Sequence, residues 1–146
     1  MKIISTIGVL VFRNNFKEVL LVKHGEEAGH PTGIYGLPAG RIDDGETAAE
    51  ASKRELNEET GLETTQENLV ELPYDSGVVK LQRKNGIIFC RWKVFICNNF
   101  SGEIRGAGQE TTPEWVKVSG LSKYWLLTNT KTAIEKGIKF SGGDKA

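Results

Sequence analysis

The chain has 146 residues, with 19 basic and 19 acidic side chains and a formal net charge of zero. That length fits one folded unit able to bury about two-thirds of its unfolded surface without disulfides or a structural metal. The interspersed charges argue against stable nucleic-acid binding and against a membrane-adsorbing surface, so neither partner is expected.

Residues 3–13, rich in Ile and Val, predict a largely buried strand, and Arg13 to Lys17 supplies the turn after it. The apolar start is too short to span a bilayer and is not followed by a small-residue cleavage site. Residues 18–24 predict a second strand. Val19, Leu20, Leu21 and Val22 run too continuously for a one-sided sheet, so the sheet should be covered on both faces. Residues 25–33 form a polar loop punctuated by glycine, a plausible lid beside whatever follows. Lys23, His24 and His30 are candidates to meet phosphate there; the plain alternative is that each is an ordinary surface or strand-end residue.

The next stretch is the most informative. Thr47 and Glu50 have the spacing of a capping box, and Gly61 fits the left-handed stop, which predicts a helix over about residues 48–60. Ala48, Ala49, Ser52 and Leu56 form its small-residue stripe, and Glu55, Glu58 and Glu59 form a second stripe overlapping its edge. Three like charges one turn apart repel once partly desolvated. They call for a hard divalent cation such as Mg²⁺ or Mn²⁺, unless the face is simply solvated.

Beyond the helix, residues 69–72 and 78–83 are short apolar runs. Asn85-Gly86 signals a type I′ hairpin that folds 78–83 back onto residues 87–97. In that run Arg91 and Lys93 share one face, a candidate substrate wall or a solvated sheet face, and Cys90 and Cys97 point to opposite faces, as two unbonded thiols in a reducing cytoplasm would. Residues 98–112 read as a long loop, 115–118 as a last strand and 121–127 as a short helix. Thr128 or Thr130 then caps a helix to about Lys136. Residues 1–140 are expected to form a single domain and the polar residues 141–146 a disordered tail.

Residues 40–62 hold Gly40, Glu46, Arg54, Glu55, Leu56, Glu58, Glu59, Gly61 and Leu62 at the spacing Gly-x5-Glu-x7-Arg-Glu-U-x-Glu-Glu-x-Gly-U, where U is bulky and apolar. This resembles the Nudix hydrolases, MutT-like members in particular, and residues 33–40 resemble the family's approach to that box. The resemblance implies a three-layer α/β/α sandwich around a mixed β-sheet, in class α/β. It implies metal ligation by Glu55, Glu58, Glu59 and the Ala39 carbonyl, with Glu46 and Arg54 pairing to hold loop and helix in register. Arg54 bridging to Glu50 or Glu58, or touching phosphate, stays open.

Residues 108–115 resemble the loop that supplies a further glutamate, Glu110 or, second, Glu114. The general base is Glu55 or one of these two. Asn129 lies about where relatives read a purine, or else caps the following helix. The implied activity is Mg²⁺-dependent hydrolysis of a phosphoanhydride in a nucleoside diphosphate linked to X, as a monomer or homodimer. A nucleoside triphosphate, oxidised or not, is the first choice. ADP-ribose, nucleotide sugars, dinucleoside polyphosphates and a non-catalytic nucleotide sensor are the alternatives.

Overall fold

The two apolar runs that open the chain become β1 (Ile3–Leu10) and β3 (Glu18–His24), with β2 (Phe12–Arg13) between them, in a computed structural model that describes residues 2–142. Each belongs to a different sheet. β1 lies between β5 (Ala39–Arg41) and β8 (Gly86–Cys97), and the far edge of β8 carries β6 (Leu69–Glu71) and β7 (Val79–Arg83). Because β1 and β8 run parallel while the other pairs are antiparallel, this sheet is mixed. β3 pairs along its whole length with β9 (Thr111–Lys117) and, by shorter ladders, with β2 and β4 (Tyr35–Gly36). The Leu20 amide, donating to the Val11 carbonyl at 2.9 Å, joins the start of β3 to the chain just beyond β1.

Both faces are buried, as the unbroken apolar runs require. Ile7, Val9 and Leu20 pack with Ala51, Leu56 and Leu62 under helix α1 (Ala48–Thr60), while Leu10, Val19 and Leu21 pack with Ala133 and Ile134 under α2 (Thr130–Ser141). The result is an α/β/α sandwich. No helix among the described residues is long and apolar enough to cross a membrane.

Helix α1 starts and stops where its local signals place it. The Glu50 amide donates to Thr47 Oγ1 at 3.1 Å, the Thr47 amide donates to Glu50 Oε1 at 2.9 Å, and Gly61 ends the helix at φ 82°. Thr47→Ala is expected to cost about 1 kcal/mol, a fall of roughly 2–4 °C in the thermal midpoint measured by calorimetry.

Elsewhere the structure differs from the sequence reading. The β7–β8 hairpin is present, but Arg83 pairs with Gly86, so Lys84 and Asn85 form the tip. Neither has a positive φ, which excludes a type I′ turn. The last strand begins at Thr111, four residues earlier than expected, because Pro113 lies on an edge strand whose one ladder among the described residues is with β3, apart from a single bridge from Thr111 to Ala107, and so breaks no inner ladder. Residues 118–123 form a 3₁₀ helix in place of the helix expected over 121–127. Asn129 precedes α2 at φ 70° and makes no side-chain cap hydrogen bond, and the helix continues to Ser141 rather than Lys136. Ser141 and Gly142 thus belong to the helix end; the rest of the expected tail, 143–146, lies outside the described residues.

Candidate active site

Arg54 is the hub that fixes α1 to the loop before it. Its Nε and Nη2 donate to the two carboxylate oxygens of Glu46 at 2.8 and 3.0 Å, its Nη1 to Glu55 Oε1 at 2.8 Å, and Nη2 also to the Arg41 carbonyl at 3.0 Å. Glu58 stands within 3.4 Å of the same guanidinium. A planar fork serves this geometry because its donors point in several fixed directions at once. The Arg54 contact pulls the Glu46 carboxyl down to about 2, with the Asp43 amide assisting. Glu46 and Arg54 therefore hold loop and helix in register through a two-pronged pair.

Glu55 and Glu59 are the inward carboxylates of the helix. Burial pushes Glu55 above its ordinary value against the opposing pull of Arg54, and its side chain is 14% exposed. A methyl group on Gly40 would fall on the Glu55 carboxylate, so β5 and α1 approach this closely only with glycine there. Glu59 accepts from the Ala39 amide at 2.7 Å. Burial raises its carboxyl to about 8, and the charges of Glu55, Glu58 and Glu110 push the same way. Four carboxylates thus feel one another across α1 and the loop before β9.

The proton balance at Glu59 gives a stability prediction. With its folded value raised, the folded chain holds a proton that the unfolded chain has lost between about pH 4.5 and pH 8. Glu59 therefore destabilises the metal-free fold progressively as pH rises through that window. Glu59→Gln should match wild type near pH 4.5 and exceed it by roughly 2 kcal/mol at pH 8, the full shift being discounted for water in the cleft. Denaturant midpoints across that range check it; a constant difference would contradict the burial of this carboxylate.

A cavity of about 330 Å³ opens beside these groups, within the range of small-molecule sites. Ala39, Glu59 and Glu110 line one part of it. Arg41, Arg83 and Thr111, which sequence reasoning did not single out, line it too, as do His24 and His30. His24 is buried, its Nδ1 is 2.9 Å from the Ile34 carbonyl, and its ring meets that of His30 edge-on at 4.7 Å. Burial lowers both imidazoles, His30 to about 4, so both are neutral at pH 7.

Other candidates lie elsewhere. Lys23 is exposed and Arg91 is 58% exposed beside Asp75, neither at the cavity, which takes in the other face of β8 through Ile88, Cys90 and Trp92. Asn129 does not line the cavity, although Leu127 and Thr128 do. Glu114 stands opposite Leu21 on β3, on the α2 face, and accepts from the Tyr35 hydroxyl at 2.9 Å. Strand alternation thus separates Glu114 from the carboxylates of α1, whereas Glu110 joins them. Among the described residues no three carboxylate, imidazole or thiol groups stand together as a ready-made metal cage, since Glu55 and Glu58 are turned to Arg54.

An α/β/α sandwich with a carboxylate-bearing helix beside a cavity defines the class of protein, and the comparisons with known proteins agree. The NUDIX domain family model matches residues 3–135. The chain belongs to the Nudix family. It is 41% identical over 61 residues to the 8-oxo-dGDP phosphatase NUDT18 of Mus musculus, a match over 42% of this chain and 18% of that protein. The chain spans about a fifth of the length of the curated relatives it matches. A MutT NUDIX hydrolase from Burkholderia pseudomallei superposes with a TM-score of 0.73 at 25% identity, over 93% of this chain and 98% of that one. A bifunctional NMN adenylyltransferase/ADP ribose pyrophosphatase from Francisella tularensis, complexed with AMP and a Mn ion, superposes with a TM-score of 0.65 at 24% identity, over 92% of this chain and 40% of that one.

Proposed function

We propose that this chain hydrolyses a phosphoanhydride bond in a nucleoside diphosphate linked to X, with a nucleoside triphosphate as the favoured substrate. The observation that carries the reading is Glu59: a carboxylate held by one backbone amide, raised to about 8, at a cavity where Glu55, Glu58 and Glu110 crowd it with like charge. Carboxylates so placed suit a hard divalent cation, Mg²⁺ or Mn²⁺. Glu59, Glu58, Glu55, Glu110 and the Ala39 carbonyl would hold it, Glu55 and Glu58 by turning from Arg54. When bound, the cation supplies charge neutralisation on phosphate oxygens and a more acidic water.

The chain's own groups supply the rest. Glu110, which lines the cavity, takes the proton of the attacking water. The water oxygen forms the new bond to phosphorus as the bridging oxygen leaves with the bond pair. Arg41, at the end of β5, faces the anionic phosphates, and the apolar part of the cavity holds the ring of the nucleotide away from water.

The test is a Mg²⁺-dependent hydrolysis panel of nucleoside triphosphates, oxidised forms included, with ADP-ribose, nucleotide sugars and dinucleoside polyphosphates, and with Glu59→Gln as control. A dominant substrate whose turnover needs Glu59 is the expected result. Silence across the panel with tight nucleotide binding would replace this reading with a nucleotide sensor.

A further inference from the structure

The turn that carries Glu110 is closed on itself: the Glu110 amide donates to the Ala107 carbonyl at 3.1 Å and the Ala107 amide to the Thr111 carbonyl at 2.9 Å. The β3–β9 ladder reaches only as far as Thr111, which pairs with His24. Ladder pairing therefore fixes Thr111 but not the two residues before it. Their carbonyls are held by the loop after β3 instead. The Gly25 amide donates to the Glu110 carbonyl at 2.8 Å, and the Glu27 amide to the Gln109 carbonyl at 3.0 Å. The approach is close: a methyl group on Gly25 would fall on the Gln109 carbonyl oxygen, so the two segments meet this way only with glycine there.

The loop is in turn held by the tip of the β7–β8 hairpin, through one residue. The Lys84 ammonium donates to the Gly25 carbonyl at 3.1 Å and to the Glu26 carbonyl at 2.7 Å, and the Lys84 amide donates to the Gly29 carbonyl at 2.8 Å. Lys84 is exposed, and among the described residues its ammonium meets no carboxylate. Its charge goes to the two carbonyls, as hydrogen bonds that an uncharged side chain would make more weakly. Contacts so exposed add little to overall stability. Their effect is local, on the loop that holds residues 109–110.

We propose that Lys84 is a positioning residue for the reaction: acting through Gly25 and Glu27, it holds the backbone of residues 109–110, and with it the Glu110 carboxylate, in reach of the attacking water. This rests on the hydrolase reading above and deepens it. Lys84 touches neither water nor substrate, yet a displacement of about 1 Å at a reacting group can cost as much as 10²-fold in rate.

The test is a double-mutant cycle between Lys84→Met and Glu110→Gln, with kcat, KM and Mn²⁺ affinity measured for each variant and Lys84→Arg as the conservative control. Lys84→Met should lower kcat by roughly 5- to 30-fold, with KM within about threefold of wild type. In the Glu110→Gln background the same change should lower kcat by less than about twofold, because the group it positions is already lost. Mn²⁺ affinity, read by calorimetry, should follow the same pattern, and Lys84→Arg, which keeps charge and donors, should retain most of the activity. A kcat for Lys84→Met within about twofold of wild type would overturn the proposal, as would equal losses in the two backgrounds, the mark of a general structural role. Gly25→Ala acts on the same contact from the loop side and should show the same dependence on Glu110. If Glu110→Gln alone leaves kcat within about threefold of wild type, the assignment of Glu110 as base falls and this proposal with it. If wild type hydrolyses no nucleotide, the hydrolase reading falls, and the Mn²⁺ cycle alone decides whether Lys84 positions Glu110.

Discussion

Glu59→Gln is expected to lower kcat by roughly 10²- to 10⁴-fold, the scale for removing a positioned acid–base or electrostatic group. The same substitution steadies the metal-free fold at pH 8, because glutamine still accepts from the Ala39 amide and carries no charge to bury. Activity and stability thus move in opposite directions, a signature that damage to the fold does not produce. Mn²⁺ titration followed by calorimetry should show cation affinity falling with it. A loss below about threefold in kcat on the best panel substrate would remove Glu59 from the centre of the chemistry.

Arg54→Ala has the largest expected effect on the fold. It leaves Glu55, 14% exposed, without its cation and cuts the tie from α1 to the loop at Glu46 and to the Arg41 carbonyl. The expected cost is roughly 2 kcal/mol, about 4–8 °C in thermal midpoint for a chain of this size. Arg54→Lys should recover only part, since one ammonium cannot span Glu46, Glu55 and a carbonyl together. The sign with pH is also set. Glu46 is pulled down to about 2, so its pairing stabilises the fold above its ordinary value near 4.5 and is lost as pH falls toward 2. The gap between Arg54→Ala and wild type should therefore narrow over that acid window. A variant within about 0.5 kcal/mol of wild type at pH 7 would show that Arg54 is an ordinary surface residue.

How much of this was legible in the sequence depends on whether each feature is local. Helix α1 was readable at both ends because Thr47, Glu50 and Gly61 act within one turn of themselves. The buried strands were readable because apolar runs report burial directly. The α/β/α layering came from the resemblance, which the structure and the family match bear out. The errors lie where a partner strand decides. Pro113 reads as a break until β9 is known to be an edge, and Asn85-Gly86 reads as a hairpin tip until the register shifts the tip back by one residue. For Lys23 and Arg91 charge alone leaves a substrate contact and an ordinary surface position both open, and the cavity lies on the opposite face of β8 from Arg91. Arg83 and Thr111 carried no local signal. Arg83 enters only through its place in the same alternation as Val79 and Leu81, and Thr111 only through its pairing with His24.

The loop over the cavity is strapped from two sides. The Lys84 ammonium donates to the carbonyls of Gly25 and Glu26 at 3.1 and 2.7 Å, the Gly25 amide donates to the Glu110 carbonyl at 2.8 Å, and the Glu27 amide donates to the Gln109 carbonyl at 3.0 Å. The segment that lines the cavity from the loop side is therefore the same one that sets the position of the glutamate before β9. Lengthening or shortening it to admit a different ring also displaces that carboxylate. On the proposed hydrolysis, a change in this loop is expected to alter selectivity and turnover together, because the same backbone hydrogen bonds place residues 109–110.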